Sequence, residues 1–159
     1  MGYYVSIEES TFQIPAENLD AAYDAMCKLN YTVPNTQKYG GSWSSGEYSK
    51  DKAPEFGPYK AAWFSWMEWN YDETCKDADE ILQALGFDTS IDDEGNLHID
   101  GYDSKSGQER LFLNSICSLS KGYIVWKGED GEIWGETYGG ENVIMKERQR
   151  NYSDIVTIN

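Results

Sequence analysis

Few side chains in this sequence are able to do covalent or metal chemistry. His98 is the only histidine, and Cys27, Cys75 and Cys117 are the only cysteines. A thiol–imidazole pair is the one nucleophilic arrangement they allow. Cys75 and Cys117 fall on apolar stripes of helical spacing, and Cys27 lies beside one. A thiol in such a place packs as a small apolar group and stays inert. Three cysteines without a close pair form neither a disulfide framework nor a zinc site. Asp92, Glu94 and Gly95 imitate a calcium loop, but its twelfth position is Gly101, where a bidentate glutamate is needed. That segment reads as a turn. Gly128-Glu129-Asp130-Gly131 lacks the helix N-terminus and cation of a phosphate cradle. Carboxylates are so numerous that no pair stands out for acid–base work. The residues therefore predict no catalytic side chain, no metal and no cofactor.

The most unusual segment is Ala61-Ala62-Trp63-Phe64-Ser65-Trp66-Met67-Glu68-Trp69-Asn70-Tyr71. On a helix, Trp63, Trp66 and Asn70 share one side and Phe64, Met67 and Tyr71 another, with Trp69 extending the first. A helix apolar around so much of its circumference is normally buried. The alternative is that one stripe is exposed as an anchor, since Trp and Tyr dominate binding hot spots. Carboxylates follow at once and would supply a polar rim. Aromatic faces with carboxylates beside them suit a cationic partner. The residues singled out for that surface are Trp66, Trp69, Asp72, Asp77, Asp79 and Glu80.

The elements that must carry these groups follow from periodicity. Tyr3, Val5 and Ile7 alternate with polar residues as in a strand, and Phe12 and Ile14 continue it or begin another. Pro15 opens a helix whose apolar stripe is Leu19, Ala22, Tyr23, Met26 and Leu29. Residues 30–57 show no sustained period and read as a long loop, part of which packs on the body through Tyr39, Trp43 and Tyr48. Pro58 starts a second helix running to Tyr71. Asp72 caps a third, with Cys75, Ala78, Leu82 and Leu85 as its stripe and Gly86 at its left-handed end. Phe87–Ile91 and Leu97–Tyr102 form a hairpin. Ser106 and Glu109 make a capping box before Phe112, Ile116 and Leu119, and Gly122 ends that helix. Tyr123–Trp126, Ile133–Tyr138 and Val143–Met145 form a meander, with Asp154–Ile158 as a further candidate strand. This order predicts a single α+β domain over residues 1–159. An antiparallel sheet of five to six strands packs with four helices, and residues 149–159 form a tail.

With 159 residues the chain is long enough to bury a core without staples. No apolar run approaches the roughly 20 residues of a membrane span, and the N-terminus carries no secretion signal. The expected compartment is the cytoplasm. Net charge is −15, from 28 acidic and 13 basic residues, and Glu68 to Glu109 alone holds 13 of the acidic side chains against Lys76 and Lys105. Such a field repels nucleic acid and anionic lipid and attracts basic protein surfaces. It serves equally as a solubility coat.

Five stretches resemble a group of small, acidic, uncharacterised proteins of phages, prophages and their bacterial hosts. They are Ile14-Pro15-Ala16-Glu17-Asn18-Leu19-Asp20-Ala21-Ala22-Tyr23, Gly40-Gly41-Ser42-Trp43, Trp63-Phe64-Ser65-Trp66-Met67, Leu85-Gly86-Phe87, and Gly122-Tyr123-Ile124-Val125-Trp126 with Gly128-Glu129-Asp130-Gly131. The resemblance implies no activity. It implies an origin among the accessory genes of mobile elements, which often encode acidic inhibitors of host defence. The leading expectation is therefore a non-enzymatic inhibitor that covers a basic surface of a host protein. The alternative is a protein that sequesters a nucleotide-like signal, with Lys121, Lys127, Lys146, Arg148 and Arg150 meeting phosphate, in an oligomer that concentrates positive charge. A small enzyme of unknown chemistry comes third. Phosphate contacts supply most non-specific affinity for nucleic acid. No mobility shift is therefore expected with duplex or single-stranded DNA at low salt, and a tight complex there would refute this reading of the charge.

Overall fold

In the computed structural model, which describes residues 3–41 and 49–148 (of 146–148 the backbone only), most expected elements form. Strand β1 (Tyr4–Ser10) and the two-residue β2 (Gln13–Ile14) lead into α1 (Leu19–Thr32). Pro15 caps a single 3-10 turn ahead of α1. Ala22, Met26 and Asn30, four residues apart, put one face of α1 against the core. After a loop with a short β3 (Gly40–Gly41) come β4 (Ala62–Trp63), α2 (Tyr71–Thr74) and α3 (Ala78–Leu85). Strands β5 (Asp88–Ile91), β6 (Leu97–Gly101) and β7 (Asp103–Lys105) precede α4 (Glu109–Ser115). The meander β8 (Gly122–Gly128), β9 (Ile133–Tyr138) and β10 (Ile144–Arg148) follows.

The main sheet is antiparallel, in the order β10-β9-β8-β1-β7, and smaller sheets pair β2-β6-β5 and β3-β4. Helices and sheets form a single α+β domain. Two edge-to-face aromatic groups fill the space between. Phe64, Tyr71 and Phe112 lie with centroids 5.2–6.0 Å apart, and Phe87 and Tyr102 meet Trp126 at 6.2 and 5.6 Å. No helix among the described residues is long and apolar enough to cross a membrane.

The expected helix over 58–71 does not form. Hydrogen bonds spanning three residues recur instead, from Ala62 N–H to Tyr59, Met67 N–H to Phe64 and Tyr71 N–H to Glu68. Each tight turn brings an apolar residue inward, so Phe64, Met67 and Tyr71 are buried at spacings that imitate a helix. Between the turns, Ala62–Trp63 pairs with Gly40–Gly41. A side chain on Gly40 would run into the Trp63 indole, so that strand contact needs glycine. Trp66 has φ 71°, the one non-glycine residue with a left-handed backbone among those described.

Asp72 caps nothing. The cap of α3 is Asp77, which accepts the Glu80 N–H at 2.8 Å, while the Glu80 carboxylate accepts the Lys76 N–H at 2.7 Å. Cys75 therefore precedes the helix and is no part of its stripe. Gly86 ends α3 as expected, with φ 109°. Its N–H bonds Gln83 and that of Phe87 bonds Leu82, closing the last turn over two buried side chains. The helix after the Ser106–Glu109 box is also shorter than expected. It passes at Ser115 into a 3-10 turn, and Gly122 opens β8.

Part of the long loop packs on the body, and Tyr39, the one of its three singled-out aromatics that is described, takes no part. Tyr39 is 72% exposed, and Trp43 and Tyr48 lie outside the described residues, as do Arg150 and the candidate strand 154–158. Among the described residues, the buried members besides Asn30 and Gly57 are Asn35, Lys38, Ser49 and Lys50. An irregular segment carries backbone carbonyls that no ladder satisfies, and lysine brings three donors. Lys38 Nζ donates to the side-chain oxygen of Asn30 at 2.6 Å and to its backbone oxygen at 3.3 Å, and lies 5.2 Å from the Phe64 ring centre. Lys50 Nζ donates to the carbonyls of Lys38 and Gly40. Asn35 bonds Pro54 through its side chain and Glu55 through its N–H, and Gly57 N–H donates to Asn30. The loop is thus tied at its base.

Burial pushes Lys38 down to about 8, with Asp72 opposing and Lys50 adding to the shift. Between about pH 8 and pH 10 the unfolded chain binds a proton that the folded chain has released, so stability rises with pH. Hydrogen bonds to carboxylates hold Tyr3, Tyr31 and Tyr123 up at about 12, and burial does the same to Tyr23. Their contribution is complete below pH 10 and is lost as pH climbs towards 12. Burial also holds the Cys27 and Cys75 thiols up, which opposes the lysine contribution as pH passes the ordinary thiol range. Urea unfolding should show stability falling above pH 10, and Lys38→Met should lower the slope between pH 8 and 10 relative to the unaltered protein and cost about 1–3 kcal/mol at pH 7 by leaving Asn30 without its donor.

Candidate functional site

The carboxylates singled out in the sequence are mostly employed in local structure. Asp77 and Glu80 close the start of α3, and Asp79 accepts the Thr89 hydroxyl at 2.5 Å. Asp72 is different. One of its oxygens accepts from the buried Asn30 side chain at 2.8 Å and the other from the Tyr31 hydroxyl at 2.7 Å. The same Asn30 amide donates to the Trp69 carbonyl at 3.1 Å. The Tyr31 ring is 51% exposed, Phe56 is exposed, and Gly57 brings the chain after Phe56 against that ring. The buried Asn30 amide thus joins a carboxylate, itself held by the exposed Tyr31, to the backbone of the half-buried Trp69, with Glu68 and Glu73 exposed on the same stretch.

Trp66 does not belong to that face. Its indole nitrogen lies over Gly107, where a side chain would come within 3.0 Å. Its left-handed backbone leaves the side chain 49% exposed. The structure thus separates the two expected anchors, Trp69 beside Asp72 and Trp66 beside the loop that leads into α4.

That loop borders a cleft which was not expected. Two hollows of about 800 and 370 Å3 share Tyr39, Gly107, Arg110 and Glu136 in their walls. Glu136 is only 2% exposed. One of its oxygens accepts from Trp126 Nε1 at 2.8 Å and the Tyr138 hydroxyl at 2.7 Å, and the other meets Arg110 Nη2 at 2.7 Å. The Arg110 side chain is 56% exposed, so its free side faces the cleft. Burial and the Glu136 charge push the Tyr138 phenol well above its ordinary range. Gln108 clamps the mouth, its oxygen accepting from Tyr39 N–H at 2.8 Å and its amide donating to the Gln37 carbonyl at 3.0 Å. Glu109 accepts from the Ser106 hydroxyl and the Gly107 N–H, but the N-cap of α4 is Gln108, so the expected Ser106–Glu109 capping box does not form.

Of the cations proposed for phosphate, Arg148 falls in register with Lys127 across Ile133 of β9, and Arg150 lies outside the described residues. Lys121 and Lys127 are exposed near opposite ends of β8, which at about 3.3 Å per residue separates them by about 20 Å. Lys146 and Arg148 lie on β10. His98 is held in the 92–96 turn by Asp92 at 2.8 Å, and that bond, with backbone N–H groups, draws Asp92 down to about 2. Cys117 is buried, and burial pushes the thiols of Cys27 and Cys75 up. Among the described residues no group of three His, Cys, Asp or Glu side chains is placed to hold a metal. No family model, curated protein or solved structure matches the chain.

Glu136 is buried and Arg110 is 56% exposed, so removing the arginine strands a buried charge, whereas replacing both partners with apolar groups is often tolerated. Arg110→Leu should therefore cost about 3 kcal/mol or more in urea unfolding. The double variant with Glu136→Leu should recover part of that loss, and strict additivity would show that the pair is not coupled. Asp77→Ala should cost about 1 kcal/mol as a lost helix cap.

Proposed function

We propose that this is a non-enzymatic binding protein that covers a basic surface of another protein through the face around Trp69 and Asp72. The observation that carries the reading is the placement of Asp72. Its carboxylate is held from both sides by Asn30 and Tyr31, and the Tyr31 ring beside it stands exposed. A guanidinium or ammonium group entering there would meet a charge already oriented and aromatic faces already positioned. Side chains fixed before binding lose little freedom when a partner arrives, which favours affinity. The exposed Glu68 and Glu73, within a chain of net charge −15, would steer a basic partner towards the face.

The resemblance to phage and prophage proteins favours a partner in a bacterial host, and inhibition of a defence protein that grips nucleic acid suits the acidic character. Relative to the residues first singled out, Trp69 and Asp72 remain, Tyr31 and Phe56 join them, and Asp77, Asp79 and Glu80 become structural supports of α3.

The reading is tested by retaining a host protein on the immobilised chain and comparing variants by surface-binding kinetics. Phe56→Ala should speed dissociation at a cost of about 2 kcal/mol if the ring is an anchor. Glu68→Lys with Glu73→Lys should slow association and weaken its salt dependence, because attraction between unlike charges is screened over about 8 Å at physiological ionic strength. A retained partner indifferent to both changes and to Asp72→Asn would refute the proposed face.

A further inference from the structure

The Lys38 side chain is 1% exposed and lies behind Asp72, with a single amide between them. Its ammonium donates to the side-chain oxygen of Asn30 at 2.6 Å. The nitrogen of the same amide donates to one Asp72 oxygen at 2.8 Å, and the Tyr31 hydroxyl donates to the other at 2.7 Å. A buried cation is thus tied through one amide to a carboxylate that is only half-buried. Each carboxylate oxygen accepts one of these bonds and has a lone pair left for another.

The charged groups that act on Lys38 are few among the described residues. Asp72 favours its protonated form, whereas burial and Lys50 oppose it, Lys50 Nζ donating to the Lys38 carbonyl. The other neighbours of the ammonium are neutral, the Asn30 carbonyl at 3.3 Å and the Phe64 ring at 5.2 Å. Asp72 in turn acts on Tyr23, Cys27, Tyr31 and Tyr71, all held above their ordinary range, and Glu73 adds to its effect on Tyr31. Of Lys38 and these four, Lys38 is therefore the first to change charge as pH rises.

A cationic group brought to Asp72 by a partner would draw on the carboxylate that also steadies Lys38. Two positive charges would then share one negative charge across a buried amide, where repulsion is screened less than at the surface. Loss of the Lys38 proton relieves that repulsion and still leaves N–H donors for Asn30.

We propose that Lys38 is a proton-linked brake on the Asp72 face: its ammonium weakens the hold on a cationic partner group, and binding of that group expels its proton. This inference rests on the face proposed for a protein partner. Linkage fixes the sign. A cation at Asp72 lowers the proton affinity of Lys38, so affinity for the cation rises as pH climbs through about 8, where Lys38 titrates.

Two measurements on the full chain test the brake. In the first, the Lys38 ε-carbon signal is followed by NMR against pH, without any partner. Lys38 should titrate at lower pH in Asp72→Asn than in the unaltered protein, and equal titration overturns the proposal whatever the face binds. In the second, acetyl-tetra-arginine amide, which has no group titrating in this range, is added at fixed ionic strength. Binding is read from the Asn30 side-chain amide signals. Affinity should rise about fivefold or more between pH 6.5 and pH 9, and bound peptide should move the Lys38 titration to lower pH. Lys38→Met should bind at pH 6.5 about as tightly as the unaltered protein does at pH 9, with no further rise. If that variant fails to fold, the peptide-induced change in Lys38 titration decides. A peptide that moves the Asn30 signals with equal affinity at both pH values overturns the brake and leaves the face standing. A peptide that leaves those signals unmoved refutes the face and the brake with it.

Discussion

The buried amide of Asn30 is the contact on which much of the molecule depends. It lies on the core-facing side of α1, where its neighbours on the stripe are Ala22 and Met26. An amide there must be satisfied in full or it destabilises the helix that carries it. Its nitrogen reaches Trp69 and Asp72, its side-chain oxygen takes Lys38, and its backbone oxygen takes Lys38 and Gly57. Three stretches of chain that share no regular hydrogen-bond ladder are joined at this point. The lysine ammonium is buried at the cost of a depressed pKa, and Asp72 at the far side of the amide offsets part of that cost. The irregular segments hold their places because this network is complete.

Several elements were legible because local chemistry and packing agree. The stripe of α1, the glycine ending α3, the hairpin around Asp92–Asn96 and the meander over β8–β10 all follow from spacing and turn residues. The segment 58–71 misled because tight turns every three or four residues bury side chains at nearly the helical period. Its composition pointed the other way. Trp, Phe and Tyr lose side-chain freedom in a helix, and Ser65 and Asn70 compete with its backbone bonds. Propensity was the better guide there and periodicity the worse one.

The cleft was half legible. Trp134, Glu136 and Tyr138 alternate on one strand, so a charged residue stands in the middle of an inward-facing aromatic row. That pattern alone asks for a buried partner. The partner, Arg110, arrives from a helix start on another part of the chain, and spacing along the sequence does not reveal it. Lys38 was equally hidden, since a lysine in a loop reads as solvated until the loop's own unsatisfied carbonyls are known.

The place of β1 in the main sheet has a further consequence. It lies between β7 and β8, pairing with Asp103–Lys105 on one side and with Ile124–Gly128 on the other. Strand β1 leaves the ribosome ahead of the other described strands and waits for both neighbours until more than a hundred further residues have been made. Closing so long a stretch of chain carries a large entropic cost before any contact repays it, and folds dominated by distant pairings assemble slowly. Helix α1 and the β5–β6 hairpin need only near neighbours and can form during synthesis. The edges of β1 stay open meanwhile, and the acidic residues Glu8 and Glu9 within it discourage pairing with other nascent chains.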